Sequence, residues 1–300
     1  MDHLRAMTIF ATVAEENGFA AASRRLNMSP PTVTRAINEL ETRLGARLLH
    51  RTTRTVSLTD TGQQYHNDVK RILADIEDAD RNAAGLHAAP NGDVSVTGSA
   101  LFGRMVVAPT LFEALDRFPD ISLTTLFVDR VVHMVDEGID IAVRIAELPD
   151  SSLSALRVGS VRRVMCASPE YLGQSGRPEH PDDLAKHDLI SFSGSAPIAR
   201  WNLEYAGQAK SIKVFSRLRT NTADVAISAA RAGRGITRVL SYMIADDIAA
   251  GRLVEVLPDF APAAVPVHVV HRETGHVSAR VRAIVDHLVS GLRAAPILDA

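Results

Sequence analysis

A single cysteine, Cys166, leaves no internal disulfide to build. No stretch reaches the roughly 18 consecutive apolar residues of a membrane-spanning helix. The opening MDHLRAMTIFATVAEE carries acids within its apolar run, unlike a secretory leader. The histidines form no HExxH and no tight metal-ligand spacing, and His268 and His271 share one strand-like run as structural residues. Gly233-Arg234-Gly235 falls short of a dinucleotide fingerprint, and no nucleophile–base pair stands out. Cys166 sits in an apolar context, where a buried inert thiol is expected rather than a redox sensor. An enzyme, a cofactor or a metal site is therefore not expected, nor a membrane partner. The expected location is cytoplasmic, where the Asn27-Met28-Ser29 sequon carries no meaning.

Charge is present but segregated. The whole chain of 300 residues carries a formal net charge of −2. Residues 20–58 hold seven arginines against two acids, a net +5, whereas residues 59–89 hold six acids against three basic residues, a net −3. Exposed charges act over about 10 Å at ordinary salt, so the local basic patch matters more for nucleic acid than the average does.

At roughly 100–200 residues per domain, the length suggests two or three domains. Residues 3–16 have apolar positions near helical spacing and end at Gly18, and residues 20–26 read as a second, short helix. After the turn Asn27-Met28-Ser29, Ser29 is placed to cap a helix and Pro30 suits its first position. In PPTVTRAINELETRL the residues Val33, Ile37, Leu40 and Leu44 share one face, Thr32, Thr34, Arg35 and Asn38 another, and Gly45 stops the helix. Residues 46–58 alternate like a small hairpin or wing. From Thr59 a further helix carries Tyr65, Val69, Ile72, Ile76, Ala79, Ala83 and Leu86 at alternating spacings of four and three. That heptad seam calls for a partner helix. Beyond the break Pro90-Asn91-Gly92, strand-like runs (93–98, 122–128, 139–145, 163–168, 189–192, 210–216, 235–240, 265–271) alternate with helix-like ones (101–118, 129–137, 223–232, 241–251, 276–292), an α/β pattern.

A short helix, a turn and an amphipathic helix with a cationic outer face form a helix-turn-helix, whose second helix enters the major groove. Ser29, Pro30, Thr32, Thr34 and Arg35 would face base edges or phosphates, with Asn38 one turn further on. Arg51 and Arg54 of the wing would approach backbone or minor groove. On these residues alone, an ordinary two-helix corner with a solvated basic face stays open as the alternative.

The stretch FAAASRRLNMSPPTVTRAINELETRLGARLLHRTTRTVSLTDTG resembles the DNA-binding signature of LysR-type transcriptional regulators. The similarity continues through DEGIDIAVRI (136–145), DSSL (150–153), CASPEYL (166–172), HPDDLAKH (180–187) and AAGRLVEVLP (249–258), so it covers nearly the whole chain. The resemblance implies an N-terminal all-α winged helix-turn-helix (1–58), a long linker and dimerisation helix (59–89), and a two-lobed, periplasmic-binding-protein-like α/β effector domain (90–300). Lobe one would take 92–160 plus 266–300 and lobe two 161–265. It further implies double-stranded DNA, a small-molecule effector, a homodimer or homotetramer, and RNA polymerase as partners. A cleft enzyme with a helical appendage and an architectural DNA binder without ligand are the rival classes. The first lacks catalytic residues, and the second leaves the α/β part without a task.

The expected cleft is the turn Ser99-Ala100-Leu101 after the first strand, Asp129 with Arg130 after the second, Phe192 and Ser193 opposite, and Asn221 between Thr220 and Thr222. Ser99 and Asn221 each precede a helix, where free N–H groups attract an anion, although Ser99 reads equally as a plain N-cap. Arg144 is either a cleft residue or a strand-end ion pair. Arg234 and Arg238 stand where the family has apolar residues. If either faces the cleft, it favours an anionic effector, because a buried guanidinium wants a carboxylate or phosphate; if both face solvent, they say nothing about the ligand. Gly98 departs from a frequent proline.

Overall fold

The computed structural model describes residues 2–51, 56–83, 89–148, 153–192, 199–205, 208–272 and 277–298. Three helices form the N-terminal head: α1 (His3–Glu15), α2 (Phe19–Arg25) and α3 (Pro30–Leu44). They converge because each contributes one apolar stripe: Ile9, Phe10 and Val13 from α1, Ala22 from α2, and Val33, Ile37 and Leu40 from α3. Gly45 adopts φ 65° and ends α3, with its N–H donating back into the last turn. The strands β1 (Leu49–Arg51) and β2 (Val56–Leu58) pair antiparallel as the wing.

The helix α4 (Asp60–Ala83) leaves the wing and packs on α1. It reaches the α/β part through Lys70 with Asp93 at 3.4 Å and Asp75 with Arg280 at 3.5 Å.

The first lobe contains β3 (Gly92–Gly98), α5 (Ala100–Phe102), α6 (Ala108–Arg117), β4 (Ile121–Phe127), β5 (Ile141–Ile145) and β6 (Leu153–Val161). The chain then crosses at Arg162 into the second lobe: β7 (Arg163–Ala167), α7 (Pro169–Ser175), β8 (Leu189–Phe192), β9 (Ala199–Tyr205), β10 (Gln208–Val214), β11 (Ser216–Thr220), α8 (Ala223–Arg231), β12 (Ile236–Leu240), α9 (Ala245–Ala249) and β13 (Val254–Val256). It returns as β14 (Val265–Arg272) and α10 (Ala279–Ala294) on lobe one. One sheet runs β4-β3-β5-β14-β6, with β3 parallel to β4 and β5 and β14 antiparallel to its neighbours. The other runs β11-β8-β12-β7-β13, and β9 with β10 forms a separate hairpin. A continuous apolar core joins the lobes, taking Phe102 and Val143 from one and Cys166, Ile190 and Tyr242 from the other.

Two expectations of regular helix are revised. Residues 129–137 form bends and a turn rather than a helix, and the buried residues among them, Val132 and Met134, are two apart, a spacing that puts them on opposite sides of a helix. Residues 100–117 form one unbroken helical run, as expected, but an irregular one, in which a π-helical turn at Gly103–Val107 separates α5 from α6. The local cause is contact: a Cβ on Gly103 would lie 2.2 Å from the Phe127 ring, so the segment is seated directly on β4. The single strand expected at 210–216 is divided. It ends at Val214, and Ser216 begins β11 in the five-stranded sheet, with Phe215 exposed between them.

Candidate DNA interface and effector cleft

The outer face of α3 carries Pro31, Arg35 and Asn38, all exposed, with Thr32 and Thr34 half-buried. Ser29 and Pro30 are exposed where the helix starts. The hydroxyl of Ser29 does not cap α3. It lies 2.7 Å from the Thr32 hydroxyl, which corrects the expectation of a backbone cap. Thr34 donates to the Pro30 carbonyl at 3.0 Å, so its methyl group turns away from that bond. Arg35 is 72% exposed and meets Glu39 only at 3.7 Å, a contact weak enough to exchange for a stronger anion. The supply of cations is completed by exposed Arg24, Arg43 and Arg47.

Arg51 differs from the others. Its side chain is 27% exposed, and its guanidinium donates to Glu41 and Asn38, each at 2.8 Å, while lying over the Phe19 ring at 5.1 Å. Two of the N–H groups of Arg51 thus fasten the wing to α3, a role the sequence did not indicate. Arg54 lies outside the described residues. The acceptor at the centre, Glu41, is the residue that sequence reasoning missed. It is buried, and its other oxygen accepts from the N–H groups of Leu48 and Leu49 at 2.8 and 3.2 Å. One of only two acids within an arginine-rich segment was the available signal.

On α4 the first part of the heptad seam is consumed within the chain. Val69 is fully buried in the head core and the Tyr65 ring lies 5.4 Å from Phe10. Ile72, by contrast, is 36% exposed, and Ile76 is half-buried. The side chains of Ala79 and Ala83 lie outside the described ones, as does Leu86.

In the cleft, the geometry separates the candidates. Ser99 is half-buried at the start of α5 and makes no cap bond. The Ala100 N–H donates to the Asp129 carboxylate at 3.0 Å. Asp129 thus occupies the helix start at which an anion was expected, and it acts as a capping group there. Leu101 is buried in the shared core and lines a cavity of about 130 Å³ between the lobes, together with Arg104, Asp224 and Met243. Arg104 and Asp224 close across it at 3.3 Å. Phe192 packs against the shared core, Asn221 is exposed, and Ser193 lies outside the described residues. Tyr242, which sequence reasoning did not single out, is buried, and its hydroxyl makes no hydrogen bond of full geometry, although the Ser99 side chain lies near enough to act on it as a weak partner. Burial raises its pKa, Ser99 alone among the nearby groups lowers it, and Asp129 and Asp224 add to the rise.

Arg238 is not in the cleft. Its neighbour Val239 joins the interlobe core, so Arg238 projects from the opposite sheet face, over Trp201 at 5.4 Å, and donates to the carbonyls of Asn202 and Arg200 at 3.1 and 3.4 Å. Burial, aided by Arg163, pulls its pKa down to about 10. Arg234 is exposed. Arg144 donates to the Val132 carbonyl at 3.1 Å and so braces the 129–137 turns. Arg130 pairs with Glu137 at 2.7 Å and holds that carboxyl down to about 2. Among the described residues no His/Cys/Asp/Glu group could hold a metal, and no helix is long and apolar enough to cross a membrane.

A winged helix-turn-helix joined through a long helix to a two-lobed α/β domain defines a ligand-responsive DNA-binding regulator as a class. Residues 4–63 match the bacterial regulatory helix-turn-helix family of lysR type, and residues 87–293 match the LysR substrate binding domain. The chain belongs to the LysR family of transcriptional regulators. It is 35% identical to an HTH-type transcriptional repressor of Pseudomonas aeruginosa, over 95% of this chain and 91% of that one. It is 34% identical to the regulator DmlR of Escherichia coli, over 95% and 93%. The solved structure of CrgA from Neisseria meningitidis, a LysR-type regulator, aligns with a TM-score of 0.62 at 30% identity, covering 96% of this chain and 98% of that one.

Proposed function

We propose that this protein binds an operator through α3 and that a small polar molecule held between the lobes adjusts that binding. The observation that carries the effector reading is the Tyr242 hydroxyl: buried where the lobes share a core, without a hydrogen bond of full geometry and touched only weakly by the Ser99 side chain. An unsatisfied buried donor costs about 1–3 kcal/mol, a deficit that a hydrogen-bonding ligand removes. Ser99, which acts on that hydroxyl, is a further polar group of the proposed site, and exposed Asn221 is assigned to it from its place just before α8.

The anionic character expected from the sequence loses two supports, since Asp129 already stands at α5 and Arg238 faces elsewhere. Asp129 and Asp224 act on Tyr242 through their charge, with Asp224 balanced in part by Arg104, and on that ground we take the ligand to be uncharged and polar or ammonium-bearing rather than a simple anion.

Two copies joined through the exposed part of α4 would set two α3 helices in successive major grooves, about 34 Å apart along the duplex. Ligand binding acts on the heads only to the extent that it favours one lobe arrangement over another. The test is a thermal-shift screen across amino acids, amines, small carboxylates and neutral polyols, followed by operator titration with each hit. A ligand that raises stability and changes operator affinity supports the reading. Hits that are all simple anions sink the charge assignment, and hits that leave DNA affinity unchanged sink the modulation.

A further inference from the structure

We infer that Asn38 meets DNA as a hydrogen-bond donor reading a base acceptor, with its amide set in that orientation by Arg51 and Glu41. The inference rests on the DNA-binding face proposed for α3 and deepens it. A guanidinium has donors only. Arg51 Nη1 lies 2.8 Å from Asn38 Oδ1, so the amide oxygen must be the atom turned toward Arg51. The NH₂ group is left facing outward from an exposed residue one turn beyond Arg35.

The orientation is held from behind. Arg51 Nη2 donates to Glu41 Oε2 at 2.8 Å, and the Phe19 ring covers one face of the guanidinium. The Glu41 side chain is 5% exposed, and its Oε1 is fixed by two backbone N–H groups of the wing. The chain of contacts therefore runs from the wing backbone through a buried carboxylate and a clamped guanidinium to the amide on the recognition helix. A free asparagine presents either end to a base edge. Here the donor is presented, so the complementary groups are acceptors: guanine O6 or N7, adenine N7, thymine O4. The amino groups of cytosine and adenine are themselves donors and are rejected. Asn38 is thus a specificity-determining residue, and Arg51 and Glu41 are positioning residues.

The experiment uses the full chain and a library of randomised duplexes. Wild type selects its preferred sites, and N38A, N38D and R51K are run against the same library. N38A and N38D alter an exposed side chain and leave the head core untouched. N38D keeps an oxygen for Arg51 but turns a second oxygen toward DNA. N38A is expected to bind the wild-type site about fivefold more weakly and to lose base preference at one position. N38D should fall further and disfavour acceptor bases there. R51K cannot hold Glu41 and Asn38 at once, and it should relax preference at that same position.

An N38A protein with unchanged affinity and preferences overturns the inference. So does an N38D protein that selects the wild-type base, or a loss that is uniform across all sequences, which would place Asn38 on phosphate. A wild type that enriches no sequence overturns the DNA reading of α3 instead, so the two failures are distinguishable.

Discussion

Phe102 of lobe one meets Tyr242 of lobe two edge to face, with ring centroids 5.0 Å apart. The contact makes Tyr242 a packing residue by its ring and a poorly satisfied donor by its hydroxyl. Tyr242→Phe keeps the first and removes the second. Without ligand, its melting temperature should equal or exceed that of wild type, by the equivalent of up to about 1 kcal/mol. Affinity for an effector found by screening should drop by about three- to tenfold in isothermal titration. A clear loss of stability in calorimetry would mean that the hydroxyl is already bonded within the protein.

Arg35 has little to lose by leaving Glu39, since both side chains are at least half exposed. Arg35→Ala should weaken operator binding by roughly 1–3 kcal/mol if it reads a guanine edge. If it meets phosphate only, all sequences should weaken alike and the log–log salt slope should shrink by about one. Titrations at several salt concentrations separate these outcomes. Full affinity with an unchanged slope would remove Arg35 from the interface.

The head was legible because its order is local: the Gly45 stop, turns and a one-sided stripe from Val33 to Leu40 lie within a single helix's reach. The α/β alternation was legible for the same reason. Arg238 was misread, and the clamp made by Arg51 was missed, because an arginine's spelling says nothing about which side chain from a distant element will meet it. Trp201 lies 37 residues before Arg238, and Phe19 lies 32 before Arg51. The half of the α4 seam that packs on α1 was invisible for a related reason: a heptad spacing shows that a stripe will be buried, not whether its partner belongs to the same chain.

Burial pushes the Cys166 thiol up to about 12, with Asp247 and Glu255 adding to the rise. At pH 8 the thiolate fraction is then about a thousandfold below that of a thiol with a pKa near 9, and the thiolate is the reactive form. Thiol reagents should leave the native protein unmodified at that pH and react fully once denaturant is added. The unfolded thiol ionises near its ordinary value and the folded one does not, so the unfolded state gains as the solution becomes alkaline. Stability contributed by this group is whole below about pH 9 and is lost progressively toward 12. Cys166→Ala should flatten that alkaline limb in unfolding titrations. Rapid labelling of the native protein would show that the thiol is accessible.

The α4 helix has two kinds of seam position, and they predict different failures. Val69 is fully buried among Ile9, Phe10 and other residues of the head core, so an acid there should unfold the head. Ile72 is 36% exposed, and neither it nor Ile76 belongs to that core. An unpaired charge at these two positions is harmless in a solvated monomer and costly only when a second helix covers them. Ile72→Asp with Ile76→Asp should therefore leave the thermal transition of the head within about 1 kcal/mol of wild type. Light scattering should nevertheless show the mass falling to that of one chain, and affinity for a two-half-site operator should collapse while residual binding to a single half-site persists. A double variant that keeps its full oligomeric mass would show that the copies associate elsewhere. The exposed strips around Phe112 and Leu115 on α6, and around Phe215, Leu218 and Val225 in lobe two, are the next surfaces to substitute.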